Sequence, residues 1–181
     1  AMIVSHEYDH FAQAYERGEN QIVSTRLVAD LETPVSAMLK LGRNARYSFL
    51  LESVEGGSVR GRYSIIGLNP DVIWKARGDK AFINRKALTD PNGTFEEQSL
   101  EPLASLRALN AESQIRLPED APPMAAGVFG YLGYDSVRLM EHLPNTPQDV
   151  LGLPDGIMIR PTVMAIFDSV KDEVTVTAPV Y

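Results

Sequence analysis

The segment Leu50 to Gly67, LLESVEGGSVRGRYSIIG, places an acidic and a hydroxyl side chain, Glu52 and Ser53, at the end of an apolar run. It then returns Arg62 at the start of the next run. Together these side chains suit a zwitterion: a carboxylate for an ammonium group, a guanidinium for a carboxylate, a hydroxyl to fix orientation, and leucines such as Leu51 to enclose an apolar side chain. An amino acid meets all four requirements. The same residues admit a plainer reading, in which Glu52 and Arg62 form a cross-strand surface ion pair worth about 0 to 1 kcal/mol and Ser53 opens a turn. Spacing alone leaves both readings open.

The other chemically suggestive groups read as structural. Gly127, Gly130 and Gly133 in GVFGYLGYD depart from the dinucleotide-binding pattern, and Phe129, Tyr131 and Tyr134 alternate as on a strand, so close backbone packing is expected there. Asp135, Arg138 and Glu141 recur at three-residue intervals, the pattern of an exposed ion-pair ladder on a helical turn. His6 and His10 lie four apart on a helix with no third ligand nearby, and His142 is isolated, so no metal site is expected. Trp74 reads as a core or edge aromatic. No catalytic residue is assigned.

The elements that must position these groups mix helix and strand. Ser5 caps a helix carrying Tyr8, Phe11, Ala12 and Tyr15 on one face, with Gly18 at its stop. Gln21 to Ala29 reads as a strand, and Thr33 with Pro34 starts a short helix ending at Gly42. The YSFLLES and RYSIIG runs are strands joined by a loop containing Gly56, Gly57 and Gly61, which makes Phe49 to Ser53 and Arg62 to Gly67 adjacent and antiparallel, with Glu52 near Arg62. Val72 to Arg77 and Lys80 to Arg85 flank a tight turn at Gly78 and Asp79. A helix follows Ser99 with Leu103, Leu106 and Leu109 on one side. Gln114 to Pro123 is an exposed connection, and Thr162 to Asp168 pairs with Glu173 to Ala178. Strands joined by hairpins and interrupted by helices predict an α+β fold with a largely antiparallel sheet and flanking helices.

The 181 residues fit one domain, with 44% hydrophobic and 23% charged residues. The balance of 17 Lys and Arg against 24 Asp and Glu, a formal charge of −7, repels phosphate backbones, so no nucleic-acid partner is expected. Without cysteine there is neither a disulfide framework nor a thiolate metal site. No apolar run is long enough to span a bilayer, and the first residues are unlike a signal peptide, so no membrane partner and a cytoplasmic location are expected. Ala1 before Met2 reads as a remnant of tag cleavage.

Four segments taken in order, ETPVSAMLKL at Glu32 to Leu41, FLLESVEGG at Phe49 to Gly57, GRYSIIGLNP at Gly61 to Pro70, and GVFGYLGYDSVRLMEHLP at Gly127 to Pro144, resemble the N-terminal region of anthranilate synthase component I. The resemblance covers nearly the whole chain. It implies one N-terminal regulatory domain over residues 1–181, with the catalytic chorismate-binding region outside this chain. It also implies a tryptophan feedback site at Leu51, Glu52, Ser53 and Arg62, drawing in addition on the GVFGY stretch and on the catalytic region outside this chain. The full-length family enzyme is expected to convert chorismate to anthranilate and pyruvate in tryptophan biosynthesis, using Mg2+ and ammonia from a glutamine amidotransferase partner, component II. This fragment alone is expected to be inactive and without a cofactor. The sister aminodeoxychorismate synthase family shares the GRYS and GYxGYD elements, and a purely structural docking module is the other alternative.

Overall fold

The computed structural model describes residues 5–55, 59–146 and 148–181. Ala1, Gly56 and Gly57 lie outside the described residues, as do the side chains of Ser5 and His6. The elements run α1 (Ser5–Glu16), β1 (Gln21–Val28), α2 (Pro34–Leu41), β2 (Phe49–Glu55), β3 (Val59–Arg77), β4 (Lys80–Asn84), β5 (Glu96–Glu97), α3 (Pro102–Glu112), β6 (Phe129–Leu132), a 3₁₀ turn (Tyr134–Leu139), β7 (Gly156–Asp168) and β8 (Glu173–Val180). The described strands form one antiparallel sheet in the order β1-β8-β7-β3-β4-β5, with β2 added beside β3 and β6 beside β7. The expected α+β class with a largely antiparallel sheet is what the chain adopts.

Two long strands hold the sheet together. β3 and β7 pair from Tyr63 opposite Asp168 to Ala76 opposite Gly156, and an irregularity between Pro70 and Val72 divides the sheet into two halves. In the first half β7 is flanked by β8 and β3 by β2; in the second, β7 is flanked by β6 and β3 by β4. The sequence pattern separates the RYSIIG run from Val72 to Arg77. They are one strand because a bulge absorbs Asp71 next to Pro70, which stays opposite Pro161, and a proline without an N–H is tolerated beside such a break in the ladder.

Alternation along these strands supplies both faces with apolar side chains. On the first half, Ile66, Leu68, Ala165 and Phe167 pack under Ala37 of α2, while Ile65, Met164 and Ile166 pack against Ala125 on the other face. On the second half, Val72, Trp74, Ala81 and Ile83 meet Leu109 of α3, and Ile73 and Ile159 meet Ala87. Trp74 is fully buried and its Nε1–H donates to Ser105 Oγ at 3.1 Å, a core role with its one polar atom satisfied. α2 follows the expected start: Thr33 and Ser36 form a reciprocal capping box that spans Pro34 in the first turn. In α1, however, Tyr8 and Tyr15 are exposed and Ala14 is buried, so the inward face is rotated from the one the aromatic spacing predicted.

Phe129–Leu132 of the GVFGYLGYD segment becomes β6, and close packing holds at Gly130 and Gly133, where a Cβ would lie 1.8 Å from the Ile157 carbonyl oxygen and 2.9 Å from that of Asp155, but not at Gly127, where a Cβ would meet nothing within 4 Å and the glycine instead serves a φ of +115°. Tyr134 does not continue the strand but opens the 3₁₀ turn, where Asp135 and Arg138 pair at 3.1 Å as the ladder pattern suggested. Glu141 lies beyond that turn. No helix among the described residues is long and apolar enough to cross a membrane.

Candidate functional site

β2 and β3 pair antiparallel with Phe49 opposite Gly67, Leu50 opposite Ile66, Leu51 opposite Ile65 and Glu52 opposite Ser64. Beyond Glu52 the register shifts, so that Val54 meets Arg60 and the backbone of Gly61, Arg62 and Tyr63 bows around Ser53. The Ser53 hydroxyl fills this break: it donates to the Tyr63 carbonyl at 2.7 Å and accepts from the Tyr63 N–H at 3.2 Å. Gly61 is required by the same approach, because a Cβ at that position would sit 2.2 Å from Ser53 Oγ.

The bowed strands, the N-terminal end of α2 and the β7–β8 turn surround a cleft of about 500 Å³. Glu52, Ser53 and Arg62 all line it, so the structure gathers these three candidates in one place. Leu51 does not line the cleft. Alternation along β2 sends Leu50 and Glu52 to one face and Leu51 to the other, where it is 46% exposed. Nor does the cleft draw on the GVFGY stretch, because β6 flanks the opposite half of β7. Its apolar lining comes from Ala29, Pro34, Val35 and Phe167 rather than from leucines.

Five carboxylates, Glu32, Glu52, Asp168, Asp172 and Glu173, face one guanidinium, Arg62. Glu32 pairs with Lys40 and accepts a hydrogen bond from the Ser36 hydroxyl, which together hold its carboxyl below the ordinary range. Arg62 does not pair with Glu52 as the cross-strand reading required. Its Nε donates to Asp168 Oδ1 and Oδ2 at 3.1 and 3.2 Å and its Nη2 to Oδ2 at 2.9 Å. This guanidinium, followed by the N–H groups of Val170 and Lys171, holds the Asp168 carboxyl below its usual value. Among the described residues Glu52 makes no hydrogen bond or ion pair, which leaves its carboxylate available to a cation in the cleft.

Asp168, Asp172 and Glu173 were not singled out from sequence. Asp168 stands 106 residues from Arg62 and meets it only because β7 pairs with β3. Among the described residues no group of three His, Cys, Asp or Glu side chains is placed to hold a metal ion.

No protein-family model matches the chain. Curated relatives do: a protein from Cereibacter sphaeroides named anthranilate synthase component 1 is 53% identical over 174 residues, which is 96% of this chain and 35% of the relative. The chain matches the N-terminal part of anthranilate synthase component 1. Proteins of the same name from Thermus thermophilus and Synechocystis are 40% and 37% identical, over 84% and 95% of this chain and 30% and 33% of their own lengths. The chain thus spans about a third of the anthranilate synthase relatives it matches. A crystal structure of anthranilate synthase component I from Streptococcus pneumoniae shares the fold, with a TM-score of 0.52 at 21% identity over 83% of this chain and 30% of that one.

Proposed function

We propose that this chain is the tryptophan-sensing regulatory domain of an anthranilate synthase large subunit. The observation that carries the reading is the convergence of Glu52, Ser53 and Arg62 on one cleft, within a chain that matches the N-terminal part of that protein. The acidic lining favours the ligand ammonium, Glu52 being, with Asp172 and Glu173, one of its carboxylates without a side-chain partner among the described residues, while Arg62 supplies the charge that offsets a ligand carboxylate. Phe167, Pro34 and Val35 offer the apolar wall for an indole.

In this reading the complete polypeptide converts chorismate to anthranilate and pyruvate in the cytoplasm. It takes ammonia from its component II partner, and Mg2+ is bound by residues outside this chain. The chain alone is without that activity.

The test is calorimetric titration of L-tryptophan into this chain and into the complete subunit, each as wild type and as Glu52→Ala. Loss of a charged hydrogen-bond partner weakens binding about ten- to hundredfold. Equal binding by both forms of the complete subunit removes Glu52 from the site, and absence of binding by the wild-type subunit removes the regulatory assignment.

A second reading, a structural docking module, is favoured by one observation: the Ser53 hydroxyl and the Asp168-facing edge of Arg62 are already satisfied within the chain. Unimpaired, tryptophan-insensitive turnover by the complete subunit is its signature.

A further inference from the structure

The ion pair between Arg62 and Asp168 uses one particular edge of the guanidinium. Asp168 receives Nε and Nη2, the side-on edge, and no acceptor among the described residues meets Nη1. The guanidinium also lies 4.9 Å over the Tyr63 ring, which restrains its plane. Asp168 is itself anchored: its side chain is 12% exposed against 44% for Arg62, and its Oδ1 accepts from the N–H groups of Val170 and Lys171 at 3.0 and 3.2 Å.

Resting on the amino-acid-binding reading above, we propose that Asp168 is a positioning residue that presets the end-on Nη1/Nη2 fork of Arg62 to receive the carboxylate of the effector. An arginine has five N–H groups in a fixed plane, so an acceptor on one edge orients the other edge without consuming it. The side chain would otherwise have to be immobilised when the ligand binds, at an entropic cost that preorganisation removes. The surroundings make this presentation necessary. The other charged groups lining the cleft are carboxylates, so a ligand carboxylate finds its cationic contact at Arg62 alone among them.

The alternative role for Asp168 is that of an internal competitor which a ligand carboxylate must displace, and the two roles predict opposite signs. Asp168→Asn keeps an oxygen to accept from Val170 and Lys171 while removing the charge that grips Arg62. In the complete subunit, positioning predicts that Asp168→Asn weakens L-tryptophan about tenfold. L-tryptophanamide, which lacks the carboxylate, changes by less than about twofold on the same scale. Tighter tryptophan binding establishes the competitor role and overturns the proposal, as does an equal loss for both ligands, which marks a merely structural effect. Failure of the wild-type subunit to bind tryptophan overturns the regulatory reading and this inference together. Side-chain 15N NMR of this chain adds a ligand-free readout: the Arg62 Nη1 and Nη2 signals are distinct in the wild type and averaged in Asp168→Asn. Averaging already present in the wild type means no fork is preset.

Discussion

The hydroxyl of Ser53 sits in the ladder between β2 and β3 as if it were a peptide group, giving a hydrogen bond to the Tyr63 carbonyl and taking one from the Tyr63 N–H. Both bonds vanish in Ser53→Ala. The expected cost is about 1 kcal/mol, the net worth of an exposed hydrogen bond or two, read as a lower denaturant midpoint. Ser53→Thr keeps the hydroxyl and recovers much of it. If Ser53→Ala weakens tryptophan binding in the complete subunit, misplacement of Arg62 is the route, since Arg62 is next to the Tyr63 backbone that Ser53 holds.

Acid should dissolve the Arg62–Asp168 pair within a definable window. The folded Asp168 carboxyl is held low, chiefly by Arg62, so between that value and the ordinary aspartate value near about 4 the unfolded chain binds more protons. Stability contributed by the pair is therefore present above the ordinary value and lost as pH falls through the folded one. The stability difference between wild type and Asp168→Asn should be flat from about pH 5 to 8 and shrink below about pH 4. A difference that grows with acid contradicts this.

Arg160 should be the costliest charged residue to lose. It is 8% exposed, pairs with Asp71 through Nε at 2.8 Å and Nη2 at 2.9 Å, reaches Ser113 Oγ at 3.2 Å, and stacks 4.1 Å from the Tyr181 ring. It thereby ties the β3 bulge to the end of α3 and to Tyr181, just past β8. Arg160→Ala strands the Asp71 carboxylate and should destabilise by about 3 kcal/mol. Arg160→Lys, which keeps the charge and loses the fork, should fall between. Equilibrium unfolding of the three chains checks the order.

Gly130→Ala should destabilise by about 3 kcal/mol, because the added methyl meets a backbone oxygen of β7 and no side chain can move aside to admit it. Hydrogen exchange should show the loss concentrated in β6 and the facing stretch of β7 around Ile157. A uniform loss across the sheet points to a different cause.

Local pattern determined a good deal of this protein. The capping box at Thr33 and the pairing of Phe49 to Glu52 with Ser64 to Gly67 follow from neighbours in the chain, as do the turn at Gly78 and Asp79 and the β7–β8 hairpin. The motif order pointed to anthranilate synthase component I, and Glu52, Ser53 and Arg62 were legible as a group because a single hairpin carries all three. What only the tertiary structure decided depends on contacts between distant segments. The side of β2 on which Leu51 falls was already implicit in strand alternation, but the cleft's place on the opposite face depends on where α2 and the β7–β8 turn pack. Arg62 chose Asp168 over the nearer Glu52 because β3 pairs with β7 along its length, bringing together two residues whose separation in sequence carries no signal. Joining the RYSIIG run to Val72–Arg77 likewise required β7 as a template, since the intervening proline is a strand breaker by itself and the neighbour of a bulge once a long partner strand lies beside it.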